Sequence, residues 1–236
     1  MTLPPLHPRC RCSIAYDEIE TPRALKPKPK YELNNEKLEP RTLIEAKTTA
    51  DRLNPIVGKY FTRKSKWSGR VAASARGTNS KNPNCTIEIN VNDCPDEALL
   101  HELVHAHSTS YYPNEIYRVN SAIEEASVQF LTQEIAKAEK IHLAGSGYDF
   151  WVETLREINR EVGLYETNLK FAQRLLRVPM TFRMEWLYAK TRTELERKKA
   201  TFERTLKVSD LLRALSWEAL KDELQKIGVA NKRTPD

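Results

Sequence analysis

Apolar and polar positions along this chain follow two different periods, and the change of period divides it. Before residue 37 there is no period. Pro4, Pro5, Pro8, Pro22, Pro27 and Pro29 interrupt every candidate element, and Lys26-Pro-Lys-Pro-Lys30 reads as an extended linker. From about Glu39 a helical spacing sets in, with Leu43, Ile44, Ala46 and Leu53 recurring until Asn54-Pro55, where the helix is expected to stop. Trp67 to Arg76 alternates loosely and predicts a strand, and Gly77 to Asn84 a turn-rich loop. Thr86 to Val91 sets Ile87, Ile89 and Val91 against polar neighbours, the pattern of a half-buried strand.

The period then returns to helical. Asp93-Cys-Pro-Asp96 reads as a helix start, with Pro95 suited to the first turn and Asp96 to the positive end of the dipole. That helix runs through Ala98 to His105 and ends near Ser108–Tyr112, before Pro113. A second long helix covers about Asn114 to Lys140. Beyond the Ala144-Gly-Ser-Gly147 loop, helices are expected over 149–162, 166–177, 180–206 and 209–227, the last broken at Ser216. The expected fold is α+β: a small, mainly antiparallel sheet of two to four strands covered by two helices, then an α-helical extension. Three segments follow, at 1–36, 37–145 and 146–236.

Composition narrows the class. Of 236 residues, 40% are hydrophobic and 8% aromatic, enough to bury a core, so global disorder is excluded. No apolar run approaches the ~18–20 residues of a membrane-spanning helix. The N-terminal residues lack a basic and then apolar signal pattern, so secretion by a signal peptide is not expected. The net charge of +6 has a local source. Lys59, Arg63, Lys64, Lys66, Arg70 and Arg76 follow one another with no acid between, interleaved with Tyr60, Phe61 and Trp67. Such a stretch can meet nucleic acid or an acidic partner, although a solvated strand and loop is the plainer reading. Four cysteines are too few for a disulfide scaffold of this length. Cys85 and Cys94 read as small core residues. Trp151, Phe171, Leu175, Phe182, Trp186 and Leu187 read as core, and the Thr193 to Lys199 run as a solvated helix face.

The chemistry lies in His101-Glu-Leu-Val-His105. On a helix, positions i and i+4 stand one turn apart on one face, so both imidazoles can reach one metal ion. Glu102 projects about 100° round the helix, where it can take a proton from a water beside the metal. A chance match is expected about once in a hundred chains of this composition. The uncharged flanks Leu99, Leu100, Leu103, Val104 and Ala106 suit a buried helix. Zinc needs a third protein ligand and an open fourth position. Ser108 and Tyr111 stand where a metzincin would have glycine and histidine, which excludes that class. A glutamate of the next helix is the other common solution, and Glu124 and Glu125 both lie there. The small Ala126 and Ser127 after Glu125 permit a close helix approach and favour Glu125. His107, about 200° from His105, is a poor ligand and is expected at the surface or as a cap. The plain alternative is a pair of core histidines beside a surface glutamate.

The strand, the His101-Glu-x-x-His105 helix and the Glu125-Ala126 helix resemble a thermolysin-type gluzincin core in minimal form, over about residues 85–130. The resemblance implies zinc held by His101, His105 and Glu125, with Glu102 as general base in the hydrolysis of a peptide bond. Gln129 stands where the family often has an aspartate bracing a histidine, which implies a weaker hydrogen bond there. No motif matches the family's transition-state stabiliser; Tyr111, Tyr112, Tyr117, His107 and His142 are all available. Separately, Pro4-Pro-Leu-His-Pro-Arg-Cys-Arg-Cys-Ser13 resembles the closing signature of phage Mu F-like minor head proteins. It implies a phage or prophage setting, a virion or host-cytoplasm location, and phage head proteins as partners beside a polypeptide substrate. His7, Cys10 and Cys12 could share a metal, but structural or inert cysteines are the better reading. The rival class is a non-catalytic head-morphogenesis or DNA- or capsid-binding module, in which a metal only staples two helices.

Overall fold

The computed structural model describes residues 39–75, 77–82, 84–108, 114–143 and 148–215, with the backbone alone over 114–119. Helix α1 (Leu43–Gly58) starts at a reciprocal cap. Thr42 Oγ1 accepts from the Glu45 backbone N–H at 3.2 Å, and the Glu45 carboxylate accepts from the Thr42 N–H at 2.9 Å. Its stripe of Ala46, Ala50, Leu53 and Val57 is fully buried. Asn54-Pro55 does not stop the helix. Pro55 falls in the last turn and removes one backbone donor near the exposed Asp51, a cost small enough for Val57 to reach the core.

Three short strands follow: β1 (Val71–Ala73), β2 (Ser80–Lys81) and β3 (Ile87–Ile89). The sheet is mixed rather than mainly antiparallel, with order β1-β3-β2. A short loop joins β2 to β3 and makes that pair antiparallel. The longer 74–79 link crosses the end of β3 and returns the chain on its other side, so β1 pairs with β3 in parallel. β2 lies within the segment read as loop. Ile87 and Ile89 are buried as their alternation requires, whereas Val91 is past the strand and exposed.

Helix α2 (Asp96–His107) begins after Pro95, which caps by backbone alone. Its first carboxylate, Asp96, accepts from Arg41 at 2.7 Å and from Arg52 at 2.8 Å. α2 packs between α1 and α3 (Asn114–Glu139) and against β2 and β3. It is buried almost all round, with Leu99, Leu100, Leu103 and Val104 in the core beside Glu97, His101, Glu102, His105 and His107. Polar groups placed this deep must find partners or a ligand.

Helices α4 (Asp149–Val162) and α5 (Asn168–Arg177) pack on α3. A 3-10 turn, Met180–Phe182, leads into α6 (Arg183–Arg197), and a seventh helix, α7, runs from 202 through 215. The expected single helix over 180–206 is therefore broken. Lys199 adopts a left-handed φ of 50°, and the Thr201 hydroxyl accepts from the Arg204 N–H to cap α7. Ser216 lies outside the described residues. One contiguous core extends from Ala46 to Leu215, so the described residues of the segments 37–145 and 146–236 share it. Phe171, Leu175 and Leu187 are in that core and Trp151 and Trp186 pack on it, but Phe182 is exposed. Among the described residues no helix is long and apolar enough to cross a membrane.

Gly163 ends α4 in the left-handed region, φ +64°, and Lys198 Nζ donates there to the carbonyls of Val162 and Gly163 at 2.6 and 3.2 Å. A Cβ at this position would meet that Nζ at 2.6 Å. Gly163→Ala is expected to lower stability by about 1–2 kcal/mol, from the left-handed backbone and the displaced lysine. Chemical denaturation measures it, and a neutral or stabilising result would contradict this account of the turn.

Candidate metal centre

Two polar stripes face each other across the α2–α3 contact. On α2 they are Glu97, His101 and His105, spaced one turn apart; on α3 they are Gln129, Glu125 and Glu124. Glu97 meets Gln129, His101 meets Gln129 and Glu125, and His105 meets Glu125 and Glu124. The pairs run in opposite chain order, so the two helices are antiparallel. Ala126 and Ser127 are buried.

The outer partners fix the tautomer of each ring. Gln129 donates its amide N–H to Glu97 at 2.6 Å, so its carbonyl oxygen faces His101 and accepts from Nδ1 at 2.8 Å. Glu124 is ion-paired with Arg183 and accepts from His105 Nδ1 at 3.2 Å. Both rings therefore present Nε2 inward. The Glu125 carboxylate lies 2.9 Å from Nε2 of His101 and 3.4 Å from Nε2 of His105. One ligand atom from each of His101, His105 and Glu125 falls within 4.8 Å of the other two, and this group could hold a metal ion. Two imidazole nitrogens and a carboxylate oxygen, with Nδ1 of each ring already bonded, form a donor set that suits a divalent transition metal.

Burial opposes charge on both imidazoles, but Glu125 outweighs it by hydrogen bond and by charge. It raises His101, and with the hydrogen bond to Glu124 it raises His105 to about 10. Burial likewise opposes the Glu125 charge, but the two histidines hold its carboxyl well below the usual range. Metal-free, the trio is a cluster of imidazole and carboxylate sharing protons, the places a cation would take. Glu102 is also buried, and burial raises its carboxyl against the opposing pull of His101 and His105. Among the described residues none hydrogen-bonds to the Glu102 carboxylate.

Other sequence candidates fall elsewhere. His107 is not a surface or capping residue: it is buried on the far face of α2, stacked on Phe61 with centroids 5.2 Å apart, and bonded to Asn54 at 3.0 Å. Burial lowers its pKa. His142 is exposed after α3. Tyr111, Tyr112 and the Tyr117 side chain lie outside the described residues, as do His7, Cys10 and Cys12. Of the basic stretch, Lys59, Arg63, Lys64, Lys66 and Arg70 are exposed, and Lys59 pairs with Glu139 at 3.3 Å. Cys85 and Cys94 are buried free thiols.

Sequence reasoning missed Tyr148, Arg183 and Glu97 as neighbours of the centre. Tyr148 stacks on His101 at 5.9 Å, and Trp151 stacks on Tyr148 at 5.7 Å. Arg183 is fully buried behind Glu124, and Glu97 stands behind Gln129. A signal existed for Arg183: it interrupts the buried stripe of Met180 and Leu187 at helical spacing.

The two adjacent glutamates thus face different atoms, and their variants should differ. Glu125→Ala is expected to lower zinc affinity by more than about 100-fold, since a donor atom is lost. Glu124→Ala should lower it by about 10–100-fold through the freed ring. It should also cost about 3–5 kcal/mol of stability, because Arg183 is left buried without its anion. Chelator competition and denaturant titration read the two effects, and the reverse ranking of affinities would overturn this assignment.

No family model, curated protein or solved structure matches this chain.

Proposed function

We propose that this protein is a zinc-dependent metallopeptidase whose core resembles the thermolysin-type gluzincins in minimal form. The observation that carries the reading is the convergence of His101 Nε2, His105 Nε2 and the Glu125 carboxylate, with each ring's Nδ1 already engaged. When bound, zinc supplies Lewis acidity, lowering the pKa of a water and polarising a carbonyl. The chain's own residues divide the remaining work. His101, His105 and Glu125 hold the ion, while Gln129 and Glu124 keep the rings aimed. Glu102, one position from the first ligand, takes a proton from the attacking water and returns it to the leaving amine. The absence of a hydrogen-bonding side chain at Glu102 among the described residues leaves its carboxylate available for that exchange. A polypeptide is the substrate. The Pro4 to Ser13 signature, outside the described residues, supports a phage or prophage setting, in the virion or host cytoplasm.

One observation favours a second reading, a structural staple. The donor side chains are largely buried, 9% exposed for His101, 8% for His105 and 14% for Glu125, and they tie α2 to α3. Glu102→Gln separates the two readings, since glutamine keeps the size but cannot accept a proton at neutral pH. The enzyme reading expects zinc content and melting temperature near wild type, with hydrolysis of an unfolded protein reduced by at least about 10²-fold. Zinc-loaded wild type that cleaves no unfolded protein, nor its own Lys26–Lys30 segment, would favour the staple. Full activity in Glu102→Gln would move the base elsewhere.

A further inference from the structure

We infer that Arg183, contributed by the C-terminal helices, is a positioning residue of the metal centre, acting on His105 through Glu124. The inference rests on the reading of His101, His105 and Glu125 as metal ligands.

Arg183 and Glu124 are both fully buried. The Arg183 Nε–H donates to the carbonyls of Leu175 and Val178, each at 3.1 Å, where α5 ends and exposes its last acceptors. Its Nη1 donates to Glu124 Oε2, and the other Glu124 oxygen, Oε1, accepts from His105 Nδ1 at 3.2 Å. Both carboxylate oxygens are thus engaged, one by α6 and one by α2. The ring of His105 cannot turn without breaking its bond to a carboxylate that is itself held.

The choice of arginine follows from geometry. Met180 and Leu187 on the same stripe show that an apolar side chain is accommodated there, and burying a guanidinium is costly unless it is paired. Arginine's planar fork sends one edge to the carbonyls and another to the carboxylate, which lysine's single ammonium reaches less well. The two histidines differ in this respect. The chain behind His101 runs through Gln129 to Glu97, residues of α3 and α2. The chain behind His105 leaves that pair and ends on the α5–α6 turn, 59 residues along the sequence from Glu124. The C-terminal helices are therefore part of the centre, and through Arg183 they bear on His105.

The test uses the full chain, zinc affinity by chelator competition, the visible absorption of the cobalt-substituted protein, and thermal melting without metal. Arg183→Met alone leaves a buried anion and can simply fail to fold, so two double variants decide. Both remove the charge pair. Glu124→Gln with Arg183→Met retains an oxygen for His105 Nδ1–H; Glu124→Leu with Arg183→Met does not. Expected are similar melting of the two metal-free doubles, zinc affinity down about 10–100-fold with an altered cobalt spectrum in the leucine variant, and a smaller loss of about 3–10-fold in the glutamine variant, whose oxygen remains but is no longer held by Arg183. Wild-type affinity in the glutamine variant would make Arg183 dispensable and overturn the inference. Wild-type affinity and spectrum in the leucine variant would overturn the inference alone and make the pair a packing feature. Equal losses in both doubles would also overturn it, since the retained oxygen would then have no effect. A wild-type chain that binds no zinc or cobalt would overturn the metal centre and this inference together.

Discussion

A buried imidazole has two nitrogens to satisfy, and that constraint organises the centre of this molecule. α2 lies inside the core on almost every side, and His101 and His105 are buried with it. α3 serves the outward Nδ1 of each ring, through Gln129 and Glu124, and leaves the inward Nε2 atoms converging on Glu125. The tautomers that result are those a metal site requires. Much of the surrounding structure follows: the second acid and the arginine behind the first partners, and the helices that bring Arg183 into the core.

The charges behind the two rings are layered in opposite senses. Behind His101 stands a neutral amide backed by an acid; behind His105 stands an acid backed by a guanidinium. Each ring thus ends on a polarised chain, while the second is neutralised by a cation from a distant part of the sequence. The weaker bond expected of Gln129 is offset by Glu97, whose carboxylate polarises the amide.

What the sequence made legible was local. His101 and His105 are one helical turn apart, so their shared face follows from spacing alone, and Glu125 was reached as a glutamate of the next helix, preferred to Glu124 for the small Ala126 and Ser127 after it. Glu97 could have been read the same way, one turn before His101. The partnership of Arg183 with Glu124 could not, since no local period reports which distant charge will neutralise a buried acid. The sheet was misread for a similar reason: Ser80 and Lys81 carry no apolar signal, and the parallel β1–β3 pairing depends on a crossing link rather than on alternation. The break at Lys198 to Thr201 contains neither proline nor glycine, and is made by Lys199 in a left-handed conformation and the Lys198 contact with the end of α4.

X-ray absorption on the zinc-loaded full chain reads whether a metal is held by two imidazoles and one carboxylate between α2 and α3. A shell of nitrogen and oxygen neighbours at about 2.0–2.1 Å is expected, with the outer scattering of two imidazoles and no sulfur. Sulfur neighbours at about 2.3 Å would place the metal on cysteines instead, and a shell without imidazole scattering would remove His101 and His105 from the site.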